Sequence, residues 1–384
     1  MTIQPPDPGA DEPNDPNDPI DPNESVASAA VEGDAAPDPA AAIPAWASRV
    51  YADPSDIMPL PLAKSRPPSP AAELTRAGIA PKSGILNIDK PAGRTSHDIV
   101  NAVRRASGER RVGHAGTLDP MATGVLVVCI GSATRVVDDI QAFTKGYRAR
   151  ITLGSATDSY DAMGQVTRTG DADLLAALTL PDVARALDAF RGEIAQVPPM
   201  VSALKHEGER LYELARRGVE VERAPRPVTV YTLDILDWAP PDVTIALTCS
   251  RGTYVRSIAH DLGEALGVGG HLSALERTQV GPFGIADAAP LVRVVEAFGE
   301  GWWTHLLYPL DTALLAYPAI VADDAVAEDM RAGRQFVAAA PGTARPGQLR
   351  VYHSGGAFVG MARWDDVTER WQPSRVFPKN EAKT

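Results

Sequence analysis

The chain of 384 residues has little cysteine and lacks the common nucleotide-binding motifs. Its two cysteines, Cys129 and Cys249, lie in apolar runs, so we expect neither a disulfide framework nor a cysteine metal site. Neither G-x-x-x-x-G-K-S/T nor G-x-G-x-x-G occurs, which argues against a nucleotide cofactor. His114, His260 and His271 are not spaced as metal ligands, so no metal site is predicted. Any chemistry is therefore expected from side chains alone.

Long apolar runs and an export signal are also missing. No segment approaches the roughly 20 apolar residues that a membrane-spanning helix needs. The N-terminus lacks the basic start and apolar stretch of a signal peptide. We therefore expect a soluble cytoplasmic protein, in agreement with its low cysteine content.

Basic residues are missing from the first 48 positions, where ten of the 49 acidic side chains lie. The remaining chain sets 39 acidic residues against 37 basic ones, so the formal charge of -12 does not argue against a polyanionic partner. The opening segment is rich in Pro, Asp, Asn and Ala and shows no helical or strand period. We predict a disordered tail over 1–80, with Met58 as an alternative start; an acidic segment that competes with nucleic acid is the functional alternative.

Apolar periodicity begins in SGILNIDKPAGRTSHDIV, which predicts a short buried strand and then a helix. We expect Ser96 to cap this helix, because Ile99, Val100 and Val103 share one face beyond it. Strands and helices follow without a regular βαβ rhythm, which favours the α+β class over a doubly wound parallel sheet. We predict a catalytic domain over 81–308 and a small β-rich C-terminal domain over 309–384.

Asp119 lies in RVGHAGTLDPMATGVL, between a glycine-rich turn and an apolar run where an unpaired carboxylate is costly to bury. In one interpretation it caps a turn before Pro120 and accepts backbone N–H groups. In the other it is a nucleophile or general base held on a stiff loop beside a buried strand. The local pattern leaves both interpretations open.

Two other features bear on this choice. Arg256 follows a predicted strand, and a guanidinium there would keep a buried carboxylate ionised, although an arginine after GTY is also typical of a surface position. Asp158 and Asp161, in SATDSYDAMG, form a second acidic group. Together with Asp119 they would make the carboxylate pair of a glycosidase, whereas turn aspartates more commonly brace a loop.

A basic insertion occupies about residues 196–228 and holds many helix breakers and charges. Cations interleaved with tyrosines suit a loop that grips nucleic acid, because phosphates bind the cations and splayed bases stack on the rings. A solvated helical hairpin fits the same pattern equally well. The residues concerned are Lys205, His206, Arg210, Tyr212, Arg216, Arg217, Arg223, Arg226 and the nearby Tyr231.

Five stretches between about residues 83 and 285 resemble, in order and spacing, the TruB family of tRNA pseudouridine synthases. They are GILNIDKPAGRTSHDIV, RVGHAGTLDPMATGVL, KGYRARITLGSATDSYDAMG, VPPMVSALKHEGERLYELARRGVEVERAPRPVTVY and CSRGTYVRSIAHDLGEALGVGGHL. The resemblance implies an α+β pseudouridine synthase core on a mixed, mainly antiparallel sheet. It also implies conversion of uridine to pseudouridine at position 55 in the T loop of tRNA, by base flipping and without cofactor or metal.

The resemblance implies roles for three residues in the reaction. Asp119, in GTLDP, matches the catalytic aspartate, which attacks the flipped nucleoside at the base or at the sugar. Tyr147, in KGYRA, matches the tyrosine that stacks on the target base and takes part in proton transfer at the sugar. Arg256, in GTYVRS, matches the arginine that pairs with the aspartate.

Four more positions match residues around the family's pocket. Tyr254 and Leu275 match residues of the pocket wall. His114 matches the histidine that contacts the T loop and keeps the target base out of its stack. Lys90, in the IDKP motif, matches a lysine beside the active-site loop, and we expect it to support the loop rather than react.

The implied partner is the T stem-loop of tRNA, without a guide RNA, bound by a monomer. Arg216 and Arg217, in the basic insertion, are predicted to bind it. Arg94 after KPAG and Ser159 in TDSYD depart from the family pattern, which affects loop details only. By position, the C-terminal domain resembles the PUA-like RNA-binding domain of actinobacterial members.

Two other functions remain as alternatives. An RNA-binding module without catalysis would keep the fold and lose the chemistry, but the presence of Asp119, Tyr147 and Arg256 together argues against it. A glycosidase acting on free sugars would need a second essential acid and no basic insertion.

Overall fold

The computed structural model describes residues 83–202, 204–206, 208–219, 221–339 and 347–378. The predicted tail over 1–80 and Met58 lie outside these residues. In the described part, no helix is long and apolar enough to cross a membrane.

Eleven strands form one large sheet. Their bounds are β1 (Gly84–Lys90), β2 (Val112–His114), β3 (Thr123–Ile130), β4 (Lys145–Leu153), β7 (Gly192–Gln196), β10 (Arg226–Ala239), β11 (Asp242–Cys249), β12 (Gly270–Val280), β13 (Phe283–Gly284), β14 (Ala289–Pro290) and β15 (Leu307–Tyr308). The main path of the sheet is β14-β1-β3-β12-β4-β11-β10-β7. Within this sheet only β1 with β14 and β3 with β12 pair in parallel among the described strands, so the prediction of a mixed, mainly antiparallel sheet is confirmed.

The other described strands are short hairpins or belong to a smaller sheet. They are β5 (Ser155–Thr157), β6 (Val166–Thr169), β8 (Lys205–His206), β9 (Glu209–Arg210), β16 (Ala319–Ala322), β17 (Gln348–His353), β18 (Phe358–Asp365) and β19 (Arg370–Val376). The α-helices are α1 (Ser96–Ser107), α2 (Val137–Ala142), α3 (Ala172–Ala177), α4 (Leu180–Asp188), α5 (Leu211–Arg216), α6 (Val255–Ala265), α7 (Leu291–Glu300) and α8 (Asp324–Arg331). The α+β class is thus confirmed.

The continuous apolar sequence of β3 has a structural cause, because both faces of this strand are buried. Leu126 and Val128 face the core built with α1 and α6, while Val127 and Cys129 face a second core built with α2. Alternate side chains of a strand point to opposite faces, so a strand covered on both sides needs apolar residues throughout.

Helix α1 begins one residue earlier than the capping prediction implied. Thr95 caps it in a reciprocal arrangement with Asp98, so the prediction of Ser96 as the cap was wrong. The Ser96 hydroxyl instead accepts from the Leu118 amide at 2.8 Å and donates to the Leu118 carbonyl at 3.1 Å. The start of α1 thereby holds the residue that precedes Asp119.

The basic insertion contains a small apolar cluster of its own, in which Met200, Leu211 and Leu214 are buried. It combines the β8–β9 hairpin with α5, so a helical hairpin describes only part of it. Arg217 pairs with Glu209, and the Arg216 side chain lies outside the described residues.

A small β-rich domain follows the large sheet, as the sequence predicted. Its strands are ordered β16-β17-β18-β19, and α8 packs on them around the fully buried Trp371. Arg375 of β19 pairs with Asp139 of α2, with Nη2 3.0 Å from Oδ1, so the domain is held to the second core of the large sheet. The predicted boundary at residue 309 falls between β15 and β16.

Gly124 lies where β3 approaches β12 most closely, and replacing it with alanine should destabilise the fold. Its φ is +94°, and a Cβ there would lie 2.3 Å from the carbonyl oxygen of Arg277. Strain at a positive φ and a clash with backbone together cost about 3 kcal/mol or more. Urea unfolding of Gly124→Ala should show this loss, whereas Gly284→Ala, where a Cβ meets nothing within 4 Å, should unfold like the parent.

Candidate active site

Asp119 lies in the loop between β2 and β3, where its side chain lines a cavity of about 590 Å³. The loop is held at several points by buried groups from other elements. Besides Ser96, the Lys90 ammonium donates to the Pro120 carbonyl at 3.3 Å, as well as to the carbonyls of Pro91 and Arg94. Lys90 is fully buried and its donors are directed at backbone oxygens, which is the geometry of a support.

Arg256, in the first turn of α6, binds Asp119 side-on. Its Nε lies 3.0 Å from Oδ2 of Asp119, and its Nη2 lies 3.1 Å from Oδ1. Two contacts between a guanidinium and a carboxylate fix both the charge and the orientation of the acid. The structure therefore brings together two residues that are 137 positions apart in the chain.

The same guanidinium binds a second carboxylate. Its Nη1 lies 3.5 Å from Oδ2 of Asp161 and donates to the Ser159 carbonyl, while its Nη2 donates to the Val201 carbonyl. Only 3% of Arg256 is exposed, so almost the whole cation is neutralised by protein groups. Arg256 thus joins the Asp119 loop, the loop after β5 and the start of the basic insertion.

Asp161 and Asp158 are engaged in local loop contacts. Asp161 accepts from the Ser159 hydroxyl at 2.7 Å and from the Met163 amide at 3.0 Å. Asp158 accepts from the Gln165 amide at 3.0 Å. Asp161 is buried beneath Arg256 and lines neither described cavity, so the bracing interpretation of these aspartates fits better than that of a glycosidase pair.

Burial raises the pKa of Asp119, and the charge of Asp161 adds to this effect. The Arg256 guanidinium acts in the opposite direction and lowers the pKa, as the more distant Lys90 does. The carboxylate is therefore a stronger base than a solvated aspartate, and it depends on Arg256 for its negative charge.

Tyr147 reaches the cavity from β4, a strand of the sheet's centre. Burial raises the pKa of its phenol, while contact with the Arg277 guanidinium lowers it. Leu275, on the neighbouring strand β12, supplies an apolar part of the same cavity wall. The cavity thus combines the Asp119 carboxylate, the Tyr147 phenol and an apolar surface.

Tyr254 caps the N-terminus of α6 and lines the cavity. Gln196, which is buried, fixes its backbone by donating to the Tyr254 carbonyl at 3.0 Å and accepting from its amide at 2.7 Å. Burial raises the pKa of the Tyr254 phenol, while the positive charge of Arg256 opposes this rise. Sequence reasoning missed Gln196, because a lone glutamine before VPP carries no recognisable signal.

His114, the last residue of β2, lines this cavity and a second, wider one of about 1040 Å³. Burial lowers the pKa of its imidazole, and the Arg277 charge lowers it further. Tyr160 and His260 stack in the wall of the second cavity, with ring centroids 3.8 Å apart. The two cavities share the Asp119 loop.

Positive charge predominates around the first cavity. Among its described lining residues Asp119 is the single carboxylate, set against the cations Lys145, Arg226, Arg251, Arg256 and Arg277. Burial lowers the pKa of Lys145 to about 8. Of the predicted site residues, Asp119, Tyr147, Arg256, His114, Tyr254 and Leu275 share this cavity, Lys90 lies behind it, and Arg217 is not part of it.

No group of three or more His, Cys, Asp or Glu side chains within the described ranges is arranged to hold a metal ion. Cys129 and Cys249 are buried and unpaired by disulfide.

Two family models match most of the large sheet. The one described as TruB family pseudouridylate synthase, N-terminal domain, matches residues 104–255. The one described as tRNA pseudouridylate synthase B C-terminal domain matches residues 256–315. The four-stranded sheet lies beyond both matches.

Several bacterial proteins named tRNA pseudouridine synthase B are similar to the chain. That of Dehalococcoides mccartyi (strain CBDB1) is 39% identical over 300 residues, which cover 78% of this chain and 98% of the relative. That of Corynebacterium diphtheriae is 45% identical over 257 residues, covering 66% and 84% respectively. That of Symbiobacterium thermophilum is 56% identical over 211 residues, covering 54% and 70%.

Solved structures share the fold at lower identity. A chain in a Cbf5-Nop10-Gar1 complex is 28% identical, with a TM-score of 0.55 over 73% of this chain and 78% of its own. A chain in an H/ACA RNP bound to a substrate RNA containing 2'-deoxyuridine is 24% identical, with a TM-score of 0.60 over 83% of this chain and 92% of its own.

Proposed function

Because the chain belongs to the TruB family of tRNA pseudouridine synthases, it is an isomerase that forms pseudouridine in tRNA, and we propose that its target is uridine 55 in the T loop, with Asp119 as nucleophile. The observation that carries the proposal is the Asp119 carboxylate, oriented by Arg256 at 3.0 and 3.1 Å and open to a cavity shared with Tyr147 and Leu275.

The dimensions and chemistry of the cavity support a flipped nucleotide as its ligand. A volume of about 590 Å³ suits a nucleoside with part of its backbone, but a base inside a folded RNA must leave its stack to enter. Tyr147 offers a ring for stacking, and Leu275 an apolar contact. His114 lines both cavities, which supports the proposal that it separates the flipped base from its former neighbours.

The reaction needs one bond to break and another to form. The bond between N1 of the base and C1′ of the ribose breaks, the base turns, and a bond from C5 to C1′ replaces it. The carbon-bound proton at C5 is released, and N1 takes up a proton, so substrate and product are isomers. Asp119 attacks the nucleoside at the base or at the sugar, and Tyr147 takes part in proton transfer at the sugar.

Arg226 and Arg251, both exposed at the first cavity, are proposed to bind tRNA phosphates together with Arg216 and Arg217. Replacing Arg226 and Arg251 with glutamate should weaken tRNA binding by about 10-fold or more and reduce the salt dependence of the affinity. Filter binding at several salt concentrations measures both effects. The same change in net charge at Arg185 and Arg191, which pair with aspartates on or beside α4, is the matched control and should have a much smaller effect.

The pH dependence of the reaction provides a second prediction. Catalysis needs ionised Asp119, whose pKa lies above its ordinary value of 3.8 because the carboxylate is buried. As the pH falls through that raised pKa, the single-turnover rate should fall by about tenfold per unit, with a midpoint above 3.8. Affinity for tRNA, measured in parallel, separates this loss from weaker binding. A rate that stays constant down to pH 4 would contradict the assignment.

The experiment that tests the proposed function uses an unmodified tRNA transcript and purified protein with no other RNA. Chemical labelling and primer extension should locate pseudouridine at position 55 of the T loop. Transcripts with cytidine at that position should remain unmodified. Modification elsewhere only, or a requirement for a second RNA, would contradict direct recognition of the T loop. We also propose that the protein is cytoplasmic and acts on tRNA as a monomer. Sedimentation of the protein with and without tRNA would test the oligomeric state.

A further inference from the structure

Arg277 lies at the point where the central strands of the large sheet meet. Its Cα is opposite Tyr147 in the antiparallel pairing of β12 with β4, and opposite Gly124 in the parallel pairing of β12 with β3. Side chains directly opposite on antiparallel strands share a face and touch. Only 1% of Arg277 is exposed, although it lies two residues beyond Leu275 on the same cavity-lining strand.

The Arg277 guanidinium binds the loop that carries Asp119. Its Nε donates to the Val125 carbonyl at 2.7 Å, its Nη1 to the Thr117 carbonyl at 3.3 Å and its Nη2 to the Gly116 carbonyl at 3.1 Å. The same side chain lies opposite Tyr147 in the strand pairing, and its positive charge lowers the pKa of the Tyr147 phenol. The Arg277 side chain therefore lies between the Asp119 loop, which it binds, and Tyr147 on the neighbouring strand.

This burial is costly to the fold and calls for an explanation. Within the described part of the chain, the hydrogen-bond partners of Arg277 are the carbonyl oxygens of Val125, Thr117 and Gly116, and none of them is a carboxylate. A buried cation without a counter-ion loses hydration that carbonyl dipoles replace only in part. An apolar residue at this sheet position would avoid that cost.

We propose that Arg277 is a positioning residue that sets the Tyr147 hydroxyl relative to Asp119 and directs its proton into the cavity. A guanidinium has donors and no acceptor, so in the proposed arrangement Arg277 donates and the Tyr147 oxygen accepts. The phenolic hydrogen is then left to point toward a substrate. The inference rests on the proposed function, because it concerns the two groups to which that function assigns the chemistry.

Lys90 makes a matched comparison for this role. It is also a fully buried cation and also donates to the Asp119 loop, at the Pro120 carbonyl. Its other hydrogen bonds go to Pro91 and Arg94, and none is recorded to Tyr147. Loss of either cation should loosen the loop, whereas only loss of Arg277 should change the environment of the phenol.

The test compares Arg277→Gln, Arg277→Lys and Lys90→Gln in the full chain. Protein labelled with ¹³C at the tyrosine ring carbon that bears oxygen gives one resonance for each tyrosine, and Tyr147→Phe identifies that of Tyr147. Removing the donated hydrogen bond should shift this resonance in Arg277→Gln and leave it in place in Lys90→Gln. Arg277→Lys keeps a donor, so its Tyr147 resonance should lie between those of the parent and of Arg277→Gln. This variant provides the comparison if Arg277→Gln folds poorly.

Kinetics provide the second readout. The single-turnover rate of Arg277→Gln should fall by about 100-fold or more, while its affinity for tRNA stays within about threefold of the parent. An unchanged Tyr147 resonance in Arg277→Gln would overturn the proposal, and so would an equal rate loss in a Lys90→Gln protein of equal thermal stability. The resonance is measured without RNA, so it tests the role of Arg277 even if the T loop is not the substrate.

Discussion

Replacing Asp119 with asparagine is expected to lower the single-turnover rate of pseudouridine formation by about 10⁴-fold or more, while tRNA affinity stays within about threefold. The amide occupies nearly the same volume as the carboxylate but is not a nucleophile at neutral pH. The fold should persist, because Arg256 keeps its contacts with Asp161 and with the carbonyls of Ser159 and Val201.

Release of tritium from tRNA labelled at C5 of uridine measures this rate directly, because the C5 proton leaves during the reaction. Asp119→Ala should be equally inactive, which excludes slow deamidation of the asparagine as a source of residual turnover. Asp158→Asn is the matched control, since Asp158 bonds the Gln165 amide and makes no recorded contact with Arg256. Near-normal turnover by Asp119→Asn would remove the nucleophile from the proposed mechanism.

Replacing Arg256 with glutamine is expected to lower both the rate and the stability. The guanidinium is 3% exposed and is shared by two carboxylates, so its loss leaves two acids without their common counter-ion. Removing one member of a buried charge pair costs about 3 kcal/mol. We expect about that loss in urea unfolding at neutral pH, and a rate lower by about 10³-fold because the nucleophile is neither oriented nor kept ionised.

The sign of the pH effect on stability follows from the direction of the pKa shift. Burial raises the pKa of Asp119 in the folded chain, and loss of Arg256 removes the main opposing effect. A carboxyl group that binds its proton more tightly in the folded state stabilises it below the unfolded pKa of about 4, and this stability is lost as pH rises toward the folded value. Arg256→Gln should therefore lose more stability than the parent between about pH 4 and neutrality.

Two further variants separate charge from geometry at Arg256. Arg256→Lys keeps the charge, but a single ammonium cannot reproduce the side-on contact with Asp119 while reaching Asp161. We expect it to recover most of the stability and little of the rate. Adding Asp161→Asn to Arg256→Gln removes one of the two unneutralised acids and should restore part of the stability. If Arg256→Gln unfolds with the same urea midpoint as the parent, the ion pair between Arg256 and Asp119 does not stabilise the fold.

The candidate site divides into residues with local signals and residues without them. Asp119 stands out because a carboxylate before an apolar strand is unusual, and the resemblance of its motif extends the assignment to Tyr147, Arg256 and the pocket wall. The sequence shows Asp161 as part of an acidic pair, but it gives no signal of the contact between Asp161 and Arg256. Gln196 and Arg277 carried no signal, although the strand period places Arg277 on the same face as Leu275.

The sequence by itself determined the α+β class, the buried strands, the β-rich C-terminal domain and the family, because these rest on periodicity and on motifs that are local. Only the tertiary structure decided that Ser96 holds Leu118 instead of capping α1, that one guanidinium is shared by Asp119 and Asp161, and that Arg277 binds the Asp119 loop from a position opposite Tyr147. The contacts of Arg256 with Asp119 and Ser159, and that of Arg277 with Gly116, join segments about a hundred or more residues apart. Such contacts depend on strand order and register, which no short pattern encodes.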